Sequence, residues 1–139
     1  MRTFDRLSRF ERSRLMSSIK GKNTKPELVV RAFLRSRNQP YSLHGKRLPG
    51  KPDIVLKPLK KLIFINGCFW HQHSCETYSI PRTNRKFWAD KLRKNKIRDR
   101  RVLRKIRKLG WSCKTIWECQ LRRKRINRTF NGISRFLKR

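Results

Sequence analysis

The stretch PDIVLKPLKKLIFINGCFWHQHSC, residues 52–75, decides how the chain is read. Ile54–Leu56 and Leu62–Ile65 are aliphatic, β-branched runs too short for helices, and the KPLKK cluster between them folds them into a hairpin. LPGKP, residues 48–52, supplies the turn ahead of the first run. The second run passes through Gly67 into a tight segment that crowds Cys68, His71, His73 and Cys75 together with Phe69 and Trp70. Such a segment is a zinc knot, a catalytic centre or a core strand.

Working outward, TKPE at residues 24–27 is a capping box with Pro26 in the first turn, which predicts a helix over about 25–37 with Leu28, Val29, Ala32 and Phe33 inward. SRFE at residues 8–11 is a second capping box and predicts a basic helix over about 8–20. YSLHG, residues 41–45, reads as a short strand. Downstream, a long helix over about 84–109 stops at Gly110, a strand follows over about 112–118, and a basic helix containing Phe130, Ile133 and Leu137 closes the chain. The order ααβββαβα is α/β in the broad sense (α+β): a single domain over residues 1–139, with helices flanking a mixed central sheet. Residues 1–22 are expected to be a DNA-contacting helix, 23–121 the core and 122–139 a basic C-terminal helix.

Forty Lys and Arg stand against eight Asp and Glu, a formal net charge of +32 over 139 residues. A surface so one-sided repels itself and calls for a polyanion, so nucleic acid is the expected partner. No apolar run is long enough to span a membrane, which leads us to expect a cytoplasmic, nucleoid-associated protein. In a reducing compartment, four cysteines clustered with histidine favour metal over disulfides. Cys68, His73 and Cys75 can supply three zinc ligands from one loop, with His71 as an alternative to His73. Cys119 is the better fourth donor, because Cys113 lies six residues earlier along the same strand.

With so few acids, each asks for a reason. At 100° per residue, Asn95 and Asp99 fall within about 60° of Trp88, in the middle of the apolar stripe formed by Leu92, Val102, Leu103 and Ile106. A carboxylate there requires a local arginine, a hydrogen-bond network or an open site beside it. Asp53 opens an aliphatic strand after a Pro-rich turn, as the metal-binding aspartate of PD-(D/E)xK nucleases does, yet FINGC at the end of the next strand lacks the usual acid-x-Lys.

LPGKPDIVL, IFINGCFWHQHSC, RTNRKFW, KNKIRDRR, LGW and IWEC, in this order, resemble the very-short-patch-repair (Vsr-like) DNA mismatch endonucleases over about residues 13–121. The resemblance implies a restriction-endonuclease-like, variant PD-(D/E)xK fold with one structural zinc. It also implies magnesium-dependent nicking of double-stranded DNA on the 5′ side of the thymine in a T·G mismatch, by a monomer. Zinc is then assigned to Cys68, His73, Cys75 and Cys119, and magnesium to Asp53 with the backbone carbonyl of Ile65. His71 becomes the general base, with Asp99 nearby, Asn95 in support and Glu27 close to the hydrated ion. Phe69 and Trp70, beside Trp88, become a wedge entering the base stack, and Met16 probes the other groove. The chain departs from the family at Asn66, where the family usually carries histidine, and in its extreme basicity. A basic zinc-containing nucleic-acid-binding protein without catalysis, or a nickase for other DNA structures, are the rival readings.

Overall fold

The computed structural model describes residues 23–71, 73, 75 and 80–139. The helix α1 (Lys25–Ser36) starts where Thr24 accepts the Glu27 N–H on its hydroxyl, with Pro26 pre-set in the first turn. Strands β1 (Ser42–Leu43), β2 (Ile54–Leu56) and β3 (Lys61–Asn66) follow. Helix α2 (Arg85–Lys108), strand β4 (Ser112–Trp117) and helix α3 (Ile126–Lys138) complete the fold. The predicted 8–20 helix lies outside the described residues.

The sheet runs β1-β2-β3-β4; β2 is antiparallel to both β1 and β3, while β4 joins β3 in parallel. A parallel neighbour needs a crossover, and α2 is that crossover. Strand alternation then divides the core. Ile54, Leu56, Ile63 and Ile116 point to the face covered by Val30, Phe33 and Leu34 of α1 and by Ile133 and Phe136 of α3. Val55 and Leu62 point to the other face, against Ile106 and Val102 of α2. The result is one domain, a mixed sheet between helical layers.

The inward face of α1 is rotated from the sequence expectation. Leu28 is exposed and Ala32 lies on the surface, while Glu27 and Arg31 are buried alongside Val30, Phe33 and Leu34. The buried face instead follows Val30, Phe33 and Leu34, which pack on the sheet, and the Glu27–Arg31 ion pair at 2.9 Å lies on that same face. Another buried cation, Lys61, donates to the carbonyls of Phe136 and Arg139 at 2.5 and 2.8 Å and so satisfies the open end of α3. Gly50 (φ 74°) turns the chain against α2, and a Cβ there would stand 2.4 Å from Val102 Cγ1. Gly110 (φ 84°) ends α2, as predicted. Among the described residues no helix is long and apolar enough to cross a membrane.

Candidate active site and zinc-ligand cluster

The far ends of β3 and β4, the start of β2, the start of α1 and the middle of α2 enclose a cleft of about 710 Å³. Asp53, just ahead of β2, reaches across to β3, where its Oδ2 accepts the Ile65 N–H at 2.6 Å. A strand residue presents its N–H and C=O to the same side, so the Ile65 carbonyl faces the Asp53 side of β3, beyond the last pair that β2 makes. Burial pushes the Asp53 carboxyl up to about 6; the Ile65 amide opposes that rise and the neighbouring Glu27 carboxylate adds to it. Glu27, His44 and Asp53 bring one donor atom each to within 4.8 Å of one another. Carboxylates crowded in this way repel unless a cation joins them, which is the chemistry of a divalent-ion site.

Glu27 serves two purposes at once. Its Oε2 accepts from the Asn23 N–H at 3.1 Å and from Arg31 Nη2 at 2.9 Å, so a single oxygen serves both the helix start and the buried arginine, whose Nε is left without a partner. Arg31 is held further by the Asn23 side chain at 2.8 Å.

Across the cleft, His71 Nδ1 lies 2.5 Å from Asp99 Oδ2. An ionised carboxylate only accepts, so Nδ1 carries the hydrogen and Nε2 keeps its lone pair. The other polar break in the stripe, Asn95, donates through Nδ2 to the Trp70 carbonyl at 3.1 Å. Both polar residues of α2 thus hold the 68–75 segment onto the helix. Phe69 and Trp70 meet edge to face at 5.1 Å, and both ride on Trp88, at 5.5 and 5.9 Å. Trp88 is only 6% exposed, which makes it the floor beneath the pair. Lys91 Nζ stands 5.7 Å from the Trp70 ring centre, at the rim.

Behind this segment, Cys68, His73, Cys75 and Cys119 bring their ligand atoms within 4.8 Å of one another. Cys119 Sγ lies 3.5 Å from His73 Nδ1. In a tetrahedral zinc site the sulfur-to-nitrogen edge is about 3.6 Å, so this pair already has the required separation. His73 lies flat on Trp117, with ring centres 4.1 Å apart and planes 7° apart, which fixes its orientation. All four cysteines are free of disulfides. Burial first, and then the neighbouring thiols, push Cys68 up to about 12, so its thiolate needs a cation. Cys113 is not among the four, and Met16 lies outside the described residues.

The sequence reading missed two members of the site. Glu118 accepts the Cys68 N–H on Oε1 at 3.1 Å and lines the cleft; its place among only eight acids was the available signal. His44 was read simply as part of a strand.

A strand-opening aspartate over a cleft of carboxylate and imidazole groups, on a mixed sheet between helices, defines a restriction-endonuclease-like nuclease. The profile of the family described as DNA mismatch endonuclease Vsr matches residues 4–77. Similar proteins include the type II nicking enzyme V.XorIIP of Xanthomonas oryzae pv. oryzae, 39% identical over 117 residues that cover 84% of this chain and 86% of that one. Type II nicking enzyme V.NmeAIP of Neisseria meningitidis serogroup A is 44% identical, over 85% and 84% of the respective chains. DNA mismatch endonuclease Vsr of Escherichia coli K12 is 37% identical, over 80% and 71%. The chain belongs to the Vsr family of DNA mismatch endonucleases and is a DNA endonuclease of the nicking kind.

Proposed function

We propose that the enzyme nicks duplex DNA on the 5′ side of the thymine in a T·G mismatch, with magnesium in the cleft and zinc in the Cys68, His73, Cys75 and Cys119 cluster. One arrangement carries this reading: Asp53 at the β2 opening, with Glu27 beside it, faces the same cleft as the His71–Asp99 pair. Asp53 and the Ile65 carbonyl would hold the magnesium, with Glu27 beside them as a further carboxylate. Bound there, magnesium supplies charge neutralisation of the scissile phosphate.

His71 takes the proton of the attacking water on Nε2, and Asp99 keeps the ring in the required tautomer and stabilises the imidazolium that forms. Asn95 fixes the backbone that carries His71, through the Trp70 carbonyl. Phe69 and Trp70 enter the base stack, with Trp88 as their support; unstacking costs a few kcal/mol and least at a mismatch, which gives selectivity a physical source. Zinc ties the 68–75 segment to the end of β4 and so holds wedge and base in one frame. Met16 contacts the opposite groove.

The test compares magnesium-dependent nicking of T·G, T·A and branched duplexes, for the native chain and for His71→Ala. A single nick leaving a 5′-phosphate, confined to T·G and lost in the variant, is expected. Equal rates on T·A would overturn the mismatch reading, and no magnesium-dependent nick in any duplex would overturn catalysis at this site.

A further inference from the structure

His44 does not itself line the cleft, yet it brings a donor atom to within 4.8 Å of those of Glu27 and Asp53, which do. It stands just past β1 in a left-handed backbone conformation (φ 49°), a region that histidine enters more readily than most residues. Its N–H donates to the Asp53 carbonyl at 3.0 Å, so main-chain pairing sets its place beside Asp53. The ring Nε2 lies 3.4 Å from Arg31 Nη2. A guanidinium donates and never accepts, so Nε2 faces it with its lone pair. The same Nη2 donates to Glu27 Oε2. A carboxylate oxygen and an imidazole lone pair therefore already converge on one cationic group, with Asp53 completing the set within 4.8 Å.

We propose that His44 is a ligand, through Nε2, of the divalent cation in the cleft beside Asp53 and Glu27, and that this nitrogen makes the site favour manganese over magnesium. The proposal rests on Asp53 being the cation site. Magnesium seeks oxygen ligands and dehydrates reluctantly, whereas imidazole suits transition metals. Donors around a six-coordinate ion of this size lie about 3 Å apart when adjacent and about 4.2 Å when opposite. The three donors, from α1, the end of β1 and the start of β2, lie within 4.8 Å of one another, and binding of the ion requires Arg31 Nη2 to leave its present place beside Glu27 and His44.

The experiment uses the purified full chain without DNA, titrated separately with manganese and magnesium by calorimetry, with electron spin-echo spectra of the bound manganese. Expected for the native chain is an imidazole nitrogen coupling that survives His71→Ala and disappears in His44→Asn, a variant chosen because asparagine keeps the left-handed backbone. His44→Asn should weaken manganese by about tenfold and leave magnesium nearly unchanged. A native spectrum without nitrogen coupling, or equal manganese affinity in His44→Asn, overturns the role of His44. Asp53→Asn separates the two levels: if it leaves manganese binding intact, the cation site itself is misplaced, whereas if it abolishes binding while His44→Asn does not weaken it, only the role of His44 fails.

Discussion

Burial of the Asp53 carboxyl costs the fold stability once that group ionises. With its carboxyl at about 6 in the fold and an ordinary value of 3.8 in the unfolded chain, its contribution is favourable below about pH 4 and is lost as pH rises through 6. Above that range the buried charge costs about 3 kcal/mol. Asp53→Asn should therefore raise the melting temperature at pH 7.5 without added divalent cation, leave it unchanged near pH 3.5, and abolish nicking; calorimetric melts across this range check it. His71 and Asp99 act as one unit, so Asp99→Asn should lower kcat by about 10² to 10⁴ with DNA affinity retained. The double variant should be little worse than either single one, and additive losses in single-turnover assays would show that the pair does not work as a unit. Asn66 leaves its position without an imidazole, and His44, just past β1, brings one to within 4.8 Å of Asp53.

At the scale of elements, Cys68, Trp70, His73 and Cys75 are held by what they are tied to. Asn95 anchors the Trp70 backbone to α2, Glu118 anchors Cys68 to the end of β4, and the thiol-imidazole cluster closes the loop. Metal analysis should find about one zinc per chain, and Cys75→Ala should lose it together with cooperative unfolding, because structural zinc contributes folding free energy. A stable, zinc-free and active Cys75→Ala protein would show the cluster to be incidental. Gly50→Ala tests the turn that seats the β2 opening against α2. The clash with Val102 and the positive φ together predict a loss of about 2–4 kcal/mol in denaturant melts. An unchanged midpoint would mean that this turn relaxes freely.

For the whole molecule, the +32 charge acts in opposite directions on folding and on binding. Salt screens self-repulsion over a Debye length of about 10 Å at 0.1 M, so the free enzyme should melt higher as salt is added. DNA affinity should fall with a log-log slope of about −0.9 per phosphate neutralised. Thermal shifts and binding titrations over the same salt series read both effects, and slopes of the same sign would mean that the charge is not placed on the DNA-facing surface.

The hairpin, the long crossover helix with its Gly110 stop and the last strand were legible in the sequence because period, capping and turn chemistry are local. The grouping of Cys68, His73 and Cys75 with Cys119 was named once the order of the motifs was matched to a family, and the fold brings their ligand atoms within 4.8 Å of one another. Which face of α1 turns inward was not legible, because Leu28 and Ala32 offer a competing apolar face and only the packing of Val30, Phe33 and Leu34 on the sheet decides between the two. Nor was the arrival of His44 beside Asp53 and Glu27, which the family resemblance had paired only with each other. Those residues lie far apart along the chain, and only the pairing of β1 with β2 and the packing of α1 on the sheet bring their donors within reach of one ion.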